Sequence, residues 1–163
     1  MNLKPLILGH RGASALAPEN TLAAFSRAIS DGADGIEFDV RLSRDQVPVV
    51  IHDASLKRTG LVDRQVSELT AAELQRIDVG RWFAQRLGRP NSRSAPPRDD
   101  ERPRERIPLL EQVLELYRTA KGTLYVEMKC DPHEAAALAT EVVRVIRGSG
   151  HRVRLGNPGL LPI

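Results

Sequence analysis

Short apolar runs alternate along the chain with segments of helical periodicity, which predicts strands alternating with helices. Leu6–Leu8 is an apolar run closed by Gly9, and it predicts a buried strand. Residues 20–31 predict a helix, because apolar side chains recur at helical spacing until Gly32 stops the run. Asn20 is suited to cap this helix, since its side-chain oxygen can accept from a free N–H of the first turn.

Two further strands are predicted before residue 54, and the first has a charged face. Residues 35–40 alternate strictly, so that the apolar side chains share one face while Glu37 and Asp39 share the other. Residues 48–52 form an apolar run and predict the next strand. The link at 43–46 is rich in turn-forming residues.

The same alternation returns in the second half of the chain. A helix is predicted over residues 109–121, followed by a strand over 123–130 in which Glu127 and Lys129 lie on one face. An alanine- and valine-rich helix is predicted over 133–147. Strands that alternate with helices predict an α/β fold with a parallel sheet.

The chain reads as a single domain, residues 1–163, interrupted by a polar insertion at 54–107. A short helix is predicted in the insertion at 67–74. Residues 91–106 contain three prolines and one apolar residue, so we expect a mobile loop there. Residues 152–155 predict the start of one more strand.

Composition and charge narrow the class of protein. Hydrophobic residues make up 41% of the chain and charged residues 28%, as in globular proteins. No apolar run is long enough to cross a bilayer, and the first residues do not form a signal peptide, so we expect a cytoplasmic protein without stable membrane insertion. The net charge of +3 arises from arginines after Glu141 and predicts no nucleic-acid surface. The single cysteine, Cys130, excludes an internal disulfide.

Polar side chains collect where the predicted strands end, which is where parallel α/β proteins build active sites. These residues are His10, Arg11, Glu37, Asp39, His52, Asp53, Glu127 and Lys129. Three carboxylates brought together would repel one another unless a cation is bound, and oxygen ligands favour Mg²⁺ or Ca²⁺. Arginine and lysine suit a phosphate, and two imidazoles can transfer protons. Together these groups indicate cleavage of a phosphate ester.

Each feature also has a structural interpretation. Glu37 and Asp39 are compatible with the solvated face of an edge strand, and Glu127 and Lys129 with a simple ion pair. Trp82, which is followed by a phenylalanine, is suited equally to packing the insertion onto the fold and to contacting a ligand.

Several motifs in order resemble the glycerophosphodiester phosphodiesterase family. They are His10-Arg11-Gly12, Pro18-Glu19-Asn20-Thr21, Glu37-Phe38-Asp39-Val40, Pro48-Val49-Val50-Ile51-His52-Asp53 and Val126-Glu127-Met128-Lys129. Smaller elements at Lys57-Arg58-Thr59, at 79–83 and at 107–111 continue the match. The resemblance covers roughly residues 5–145, and four ordered motifs at these spacings are far more specific than one.

The resemblance implies a TIM-barrel fold of the (β/α)₈ type with a small insertion after strand three. It also implies hydrolysis of glycerophosphodiesters to glycerol 3-phosphate and an alcohol, with one Mg²⁺ or Ca²⁺ as cofactor. The implied metal ligands are Glu37, Asp39 and Glu127, the implied acid/base pair is His10 and His52, the implied phosphate-binding residues are Arg11 and Lys129, and the implied supporting residues are Glu19 and Asn20.

A complete barrel needs about 250 residues, so we expect this chain to represent roughly the first half of one. Two other functions stay open at this stage. An inactive fragment would only bind metal or phosphate, or form a homo-oligomer through its open sheet edges. A lysophospholipase D-like phosphodiesterase would share the same residues and act on a different diester.

Overall fold

The computed structural model describes residues 5–87, 104–120 and 122–151. Its strands and helices in chain order are β1 (Leu8–His10), α1 (Leu22–Ser30), β2 (Gly35–Leu42), β3 (Pro48–Val50), α2 (Ala71–Leu74), α3 (Arg81–Leu87), α4 (Leu110–Leu116), β4 (Thr123–Met128) and α5 (Ala135–Gly148). One turn of 3₁₀ helix, Val66–Glu68, precedes α2. Most of the loop predicted at 91–106 and all of the strand predicted at 152–155 lie outside the described residues.

The strand β2 is the centre of the sheet. It pairs in parallel with β1 on one edge and with β4 on the other, with Asp39 opposite Glu127. The strand β3 instead runs antiparallel to β2, with Val50 opposite Val40. The prediction of an entirely parallel sheet is therefore wrong at β3. The link at 43–46 forms a tight turn, closed by a bond from the Ser43 N–H to the Val47 carbonyl, and such a turn is too short for a parallel crossover.

The hairpin brings the end of β3 back beside the middle of β2. The Ile51 N–H donates to the Asp39 carbonyl at 3.0 Å, so His52 follows at the level of the β2 carboxylates. Because β1 and β4 each pair in parallel with β2, the carboxyl ends of all three strands lie in the same part of the sheet. The polar residues were expected at the ends of four parallel strands. They come together at the ends of the parallel strands β1, β2 and β4 and after the antiparallel strand β3.

The main hydrophobic core lies between the sheet and the helices α1, α4 and α5. The apolar face of β2 supplies Ile36, Phe38 and Val40, which are all fully buried. Each such side chain stabilises the fold by about 1.5–3 kcal/mol relative to an exposed one. This burial fixes the register of β2, because a slip of one residue would place Glu37 and Asp39 in the core.

Two local predictions need correction. Leu6 and Ile7 are 63% and 64% exposed and lie before β1, which begins at Leu8, so they do not form the buried strand that was expected. Helix α1 is capped by Thr21, whose hydroxyl accepts from the Ala24 N–H, and not by Asn20. Asn20 has φ +56°, and its side-chain amide donates to Asp39.

Apolar residues of the insertion form a second hydrophobic cluster together with Val49 and Ile51, at the end of the β2–β3 hairpin. Its buried members include Leu56, Val66, Leu74, Val79 and Ile107. Helix α3, which carries Trp82 and Phe83, was not predicted. Across the described ranges, no helix combines the length and apolar character needed to span a membrane.

Candidate metal and phosphate site

The loop after β1 is held in an unusual conformation that places two site residues. Arg11 and Asn20 both have φ +56°, a left-handed conformation that is costly for residues other than glycine. The Asn20 N–H donates to the Arg11 carbonyl at 3.0 Å and links them. Gly12 has φ +79°, and a Cβ there would lie 2.7 Å from the Ala24 backbone, so this position needs glycine.

Glu37 projects from the polar face of β2 with one satisfied oxygen and one that lacks a partner. Its Oε2 accepts from the Arg11 N–H at 3.0 Å and lies 3.8 Å from Nε2 of His10. Its Oε1 is buried without a hydrogen bond. Burial raises the pKa of Glu37, and the nearby charges of Asp39 and Glu127 raise it further.

Asp39 lies two residues further along β2 and is fully buried. Asn20 contacts it twice, since its Nδ2 donates to Oδ2 at 2.9 Å and its Oδ1 accepts from the Asp39 N–H at 3.3 Å. The Arg11 Nε lies 3.2 Å from Oδ2, and the Lys129 Nζ lies 3.6 Å from Oδ1. Even so, Oδ1 has no hydrogen bond.

Glu127 completes a group of three carboxylates, here called the carboxylate trio, with Glu37 and Asp39. One oxygen from each residue lies within 4.8 Å of the others. Lys129 donates to Glu127 Oε1 at 2.7 Å and lowers the pKa of that carboxyl. Glu127 is the exposed member, because β4 pairs only with β2 among the described strands.

The carboxylate trio fits a divalent cation. Two of its oxygens, Glu37 Oε1 and Asp39 Oδ1, are buried with no hydrogen-bond donor, and such atoms are costly unless something binds them. The donor set is oxygen only, which suits Mg²⁺ or Ca²⁺ better than zinc or copper. These residues would hold the ion that the resemblance implies.

A second group of charges lies beside the trio and involves His52. Asp53 Oδ1 lies 2.6 Å from Nδ1 of His52, and Asp53 Oδ2 accepts from the Arg58 Nε at 2.7 Å. Arg58 also donates from Nη1 and Nη2 to the two oxygens of Glu19, both at 2.8 Å. We call Arg58, Asp53 and Glu19 the Arg58 clamp. Hydrogen bonds from Arg58 lower the pKa of Asp53 to about 2.

The two histidines are held differently. The His10 side chain is 69% exposed, and its only ion-pair contact among the described residues is with Glu37. The His52 side chain is 31% exposed and has Asp53 on Nδ1. His52 also borders a small cavity with Glu19, Asn20 and Thr59.

Most of the predicted site residues come together in the structure. The carboxylate trio, Arg11, Lys129 and Asn20 are linked by direct contacts. Glu19 does not join the trio, because Arg11 and Arg58 bind both of its oxygens. It therefore supports the arginines.

Sequence analysis missed Arg41 entirely and gave Arg58 no role. Arg41 donates from Nε to the His52 carbonyl at 2.7 Å and from Nη1 to the Lys129 carbonyl at 3.3 Å. The alternation that selected Glu37 and Asp39 reaches Arg41 at its next step, so the pattern contained the necessary information. Arg58 had no such pattern, since its partners lie five and 39 residues away.

Comparison with known proteins defines the class. Residues 10–155 match the profile of the glycerophosphoryl diester phosphodiesterase family. The chain belongs to this family. It is 38% identical over 127 residues to a glycerophosphodiester phosphodiesterase of Caldanaerobacter subterraneus, covering 78% of this chain and 46% of that protein.

Solved structures agree. A phosphodiesterase of Oleispira antarctica, solved with its product sn-glycerol-3-phosphate, superposes with a TM-score of 0.73 at 31% identity, over 88% of this chain and 52% of that one. A glycerophosphodiester phosphodiesterase of Agrobacterium tumefaciens gives a TM-score of 0.67 at 36% identity, over 90% and 54%. These neighbours are TIM-barrel enzymes, which confirms the predicted fold class. The chain spans about half the length of the relatives and structures it matches.

Proposed function

We propose that the protein hydrolyses glycerophosphodiesters to glycerol 3-phosphate and an alcohol, with a divalent cation held by the carboxylate trio. The single observation that carries the proposal is the pair of buried oxygens without partners, Glu37 Oε1 and Asp39 Oδ1, that face a third carboxylate. The Oleispira relative binds sn-glycerol-3-phosphate as its product, which supports the substrate class.

The residues around the trio suit a phosphodiester. When bound, the cation would polarise a phosphoryl oxygen and stabilise the charge that develops on it. Arg11 and Lys129 both lie within 4 Å of Asp39. Their cationic groups would bind the remaining phosphoryl oxygens. Asn20 forms two hydrogen bonds with Asp39 and so fixes the orientation of that carboxylate.

His10 and His52 would share the proton transfers. In the hydrolysis, one imidazole would take a proton from the attacking water as its oxygen bonds to phosphorus. The other would give a proton to the oxygen of the departing alcohol as its bond to phosphorus breaks. Because Nδ1 of His52 is hydrogen-bonded to Asp53, the orientation of His52 is better defined than that of His10.

The test combines metal binding with turnover. Mg²⁺ and Ca²⁺ are titrated calorimetrically, each in turn, into the wild-type chain and Glu37→Gln, and glycerol 3-phosphate release from glycerophosphocholine is followed in parallel. We expect Glu37→Gln to bind the preferred ion about tenfold more weakly or worse, because the loss of even an outer-shell partner costs about that much. His10→Ala and His52→Ala should abolish turnover and leave metal binding intact.

A matched control is Glu68→Gln, which removes an exposed carboxylate that pairs with Arg64 in the insertion. It should bind the ion as the wild type does. Equal metal affinity in wild type and Glu37→Gln would contradict the assignment of the trio, and turnover that persists in both histidine variants would contradict the catalytic assignment.

A second candidate is a chain that binds metal and phosphate without turnover. It is favoured by the exposure of Glu127, whose side chain is 46% exposed. Metal binding in the calorimeter with no glycerol 3-phosphate formed would support it. A lysophospholipase D-like activity differs in substrate, and release of choline from lysophosphatidylcholine would reveal it.

A further inference from the structure

The insertion supplies a charged group that touches the site from outside the sheet. Arg58 lies beyond β3, and its guanidinium contacts four carboxylate oxygens at 2.7–3.1 Å, two on Asp53 and two on Glu19. Such forked contacts fix both carboxylates in direction as well as in distance. The exposed fractions of the Asp53 and Glu19 side chains are only 26% and 11%.

The orientation of Asp53 determines which nitrogen of His52 carries a proton. An ionised carboxylate can only accept, so the 2.6 Å contact requires the hydrogen to be on Nδ1. In the neutral ring Nε2 then has its lone pair free. The low pKa of Asp53, about 2, keeps this carboxylate charged across the neutral range.

Arg58 is itself held in place by helix α3. Its guanidinium carbon lies 5.4 Å from the centre of the Trp82 ring, within the range of a cation–π contact. Trp82 packs edge-on against Phe83, which is buried. The side chain of Arg58 therefore has a face against an aromatic ring and an edge against two carboxylates.

We propose that Arg58 is a positioning residue, which the insertion holds against Asp53 so that His52 keeps its proton on Nδ1 and its Nε2 free. This inference rests on the proposed function in taking His52 as a proton-transfer group. Through Arg58, the insertion would thus act on the imidazole that transfers the proton.

The test reads the His52 tautomer directly. Long-range proton–nitrogen correlation spectra distinguish the two tautomers of each imidazole, and the chain contains only four histidines. The signals of His52 are those missing in His52→Gln. We expect the Nδ1–H form in the wild-type chain and, in Arg58→Met, loss of that single form in favour of a mixture with Nε2–H. Trp82 is the sole tryptophan, so its fluorescence should also change when the cation over its ring is removed.

Arg64→Met is the matched control, because Arg64 is a similarly exposed arginine of the insertion that pairs with Glu68 and does not contact Asp53. It should leave both readouts unchanged. Arg58→Lys keeps a cation that cannot form the fork, and it should give an intermediate tautomer ratio. If Arg58→Met loses its dispersed amide spectrum, Arg58→Lys decides the question.

Two results would overturn the proposal. The first is a wild-type chain in which neutral His52 carries its proton on Nε2. The second is a His52 tautomer that is as unaffected by the folded Arg58 variant as by Arg64→Met. Neither depends on turnover or on metal binding, so failure of the proposed function would not imitate them. Conversely, Arg58→Met should bind the ion as the wild type does, and Glu37→Gln should keep the His52 tautomer.

Discussion

The carboxylate trio and the Arg58 clamp lie side by side and are built from the same kinds of residue, yet their charges are balanced in opposite ways. In the clamp, the oxygens of Asp53 and Glu19 all have hydrogen-bond partners. In the trio, Glu37 and Asp39 each keep a buried oxygen with none. The carboxylates of the clamp are therefore satisfied within the protein, whereas those of the trio have oxygens available to bind a cation.

The pKa directions follow the same division. Burial raises the pKa of Glu37, and negative neighbours add to the effect. Burial acts on Glu19 in the same sense, but Arg58 and Arg11 outweigh it and the pKa of Glu19 is lowered. The comparison teaches that burial alone does not mark a metal site. A buried carboxylate oxygen without a hydrogen-bond donor does, as in Glu37 and Asp39.

The largest expected effect tests whether Asp39 and Glu37, two members of the carboxylate trio, contribute differently to stability. Asp39→Ala should lower the free energy of unfolding by about 3–5 kcal/mol, because the Nδ2 of Asn20 and the Nε of Arg11 lose the buried carboxylate oxygen that they contact. Glu37→Gln should leave stability unchanged or raise it, since the pKa of Glu37 is raised in the folded state. Urea unfolding of the metal-free chain at pH 7 measures both.

The control for that comparison is Asp63→Ala, which removes an aspartate whose side chain is 83% exposed. It should change the free energy of unfolding by less than about 0.5 kcal/mol. An Asp39→Ala chain as stable as the wild type would show that all three carboxylates are simply repulsive, and the distinction within the trio would be lost.

An intermediate effect tests whether Arg41 couples the segment at His52, beside the clamp, to the segment at Lys129, beside the trio. Arg41→Met should cost about 1.5–3 kcal/mol, because each carbonyl loses a hydrogen bond from a charged donor. We also expect amide shifts near both His52 and Lys129 in two-dimensional NMR spectra. Changes confined to one of the two segments would show that Arg41 does not couple them.

The smallest effect tests the charge balance of the clamp. The pKa of Asp53 is lowered from 3.8 to about 2, so its ionised form stabilises the fold above about pH 4, and this contribution is lost as the pH falls through about 2. After allowance for solvent screening, Asp53→Asn should lower the free energy of unfolding at pH 7 by about 1 kcal/mol. The difference should shrink in unfolding curves recorded at pH 4 and pH 2, and a constant difference would contradict the assignment.

Local pattern was enough to find the trio but not its surroundings. Strict alternation in β2 and β4 put Glu37, Asp39 and Glu127 on polar faces, because side chains of a strand alternate whatever the rest of the fold does. The same alternation did not reveal that β3 turns back on β2. The direction of β3 depends on the length of the link at 43–46 and on the bond from the Ser43 N–H to the Val47 carbonyl that closes it.

The role of Asn20 shows how a local rule fails. Asparagine before an amphipathic run predicts a helix cap, yet the next residue, Thr21, takes that position. Asn20 instead satisfies Asp39, 19 residues away. A capping preference of about 1 kcal/mol is small beside the cost of leaving a buried carboxylate without donors.

The α/β class, the apolar face of β2 and the positions of the three carboxylates could be predicted from the sequence, because they follow from short-range spacing, and the family could be predicted because its motifs are contiguous. Which carboxylate oxygens have hydrogen-bond donors and which have none is visible only in the folded chain, since it depends on side chains such as Arg58 that reach the site from distant parts of the sequence.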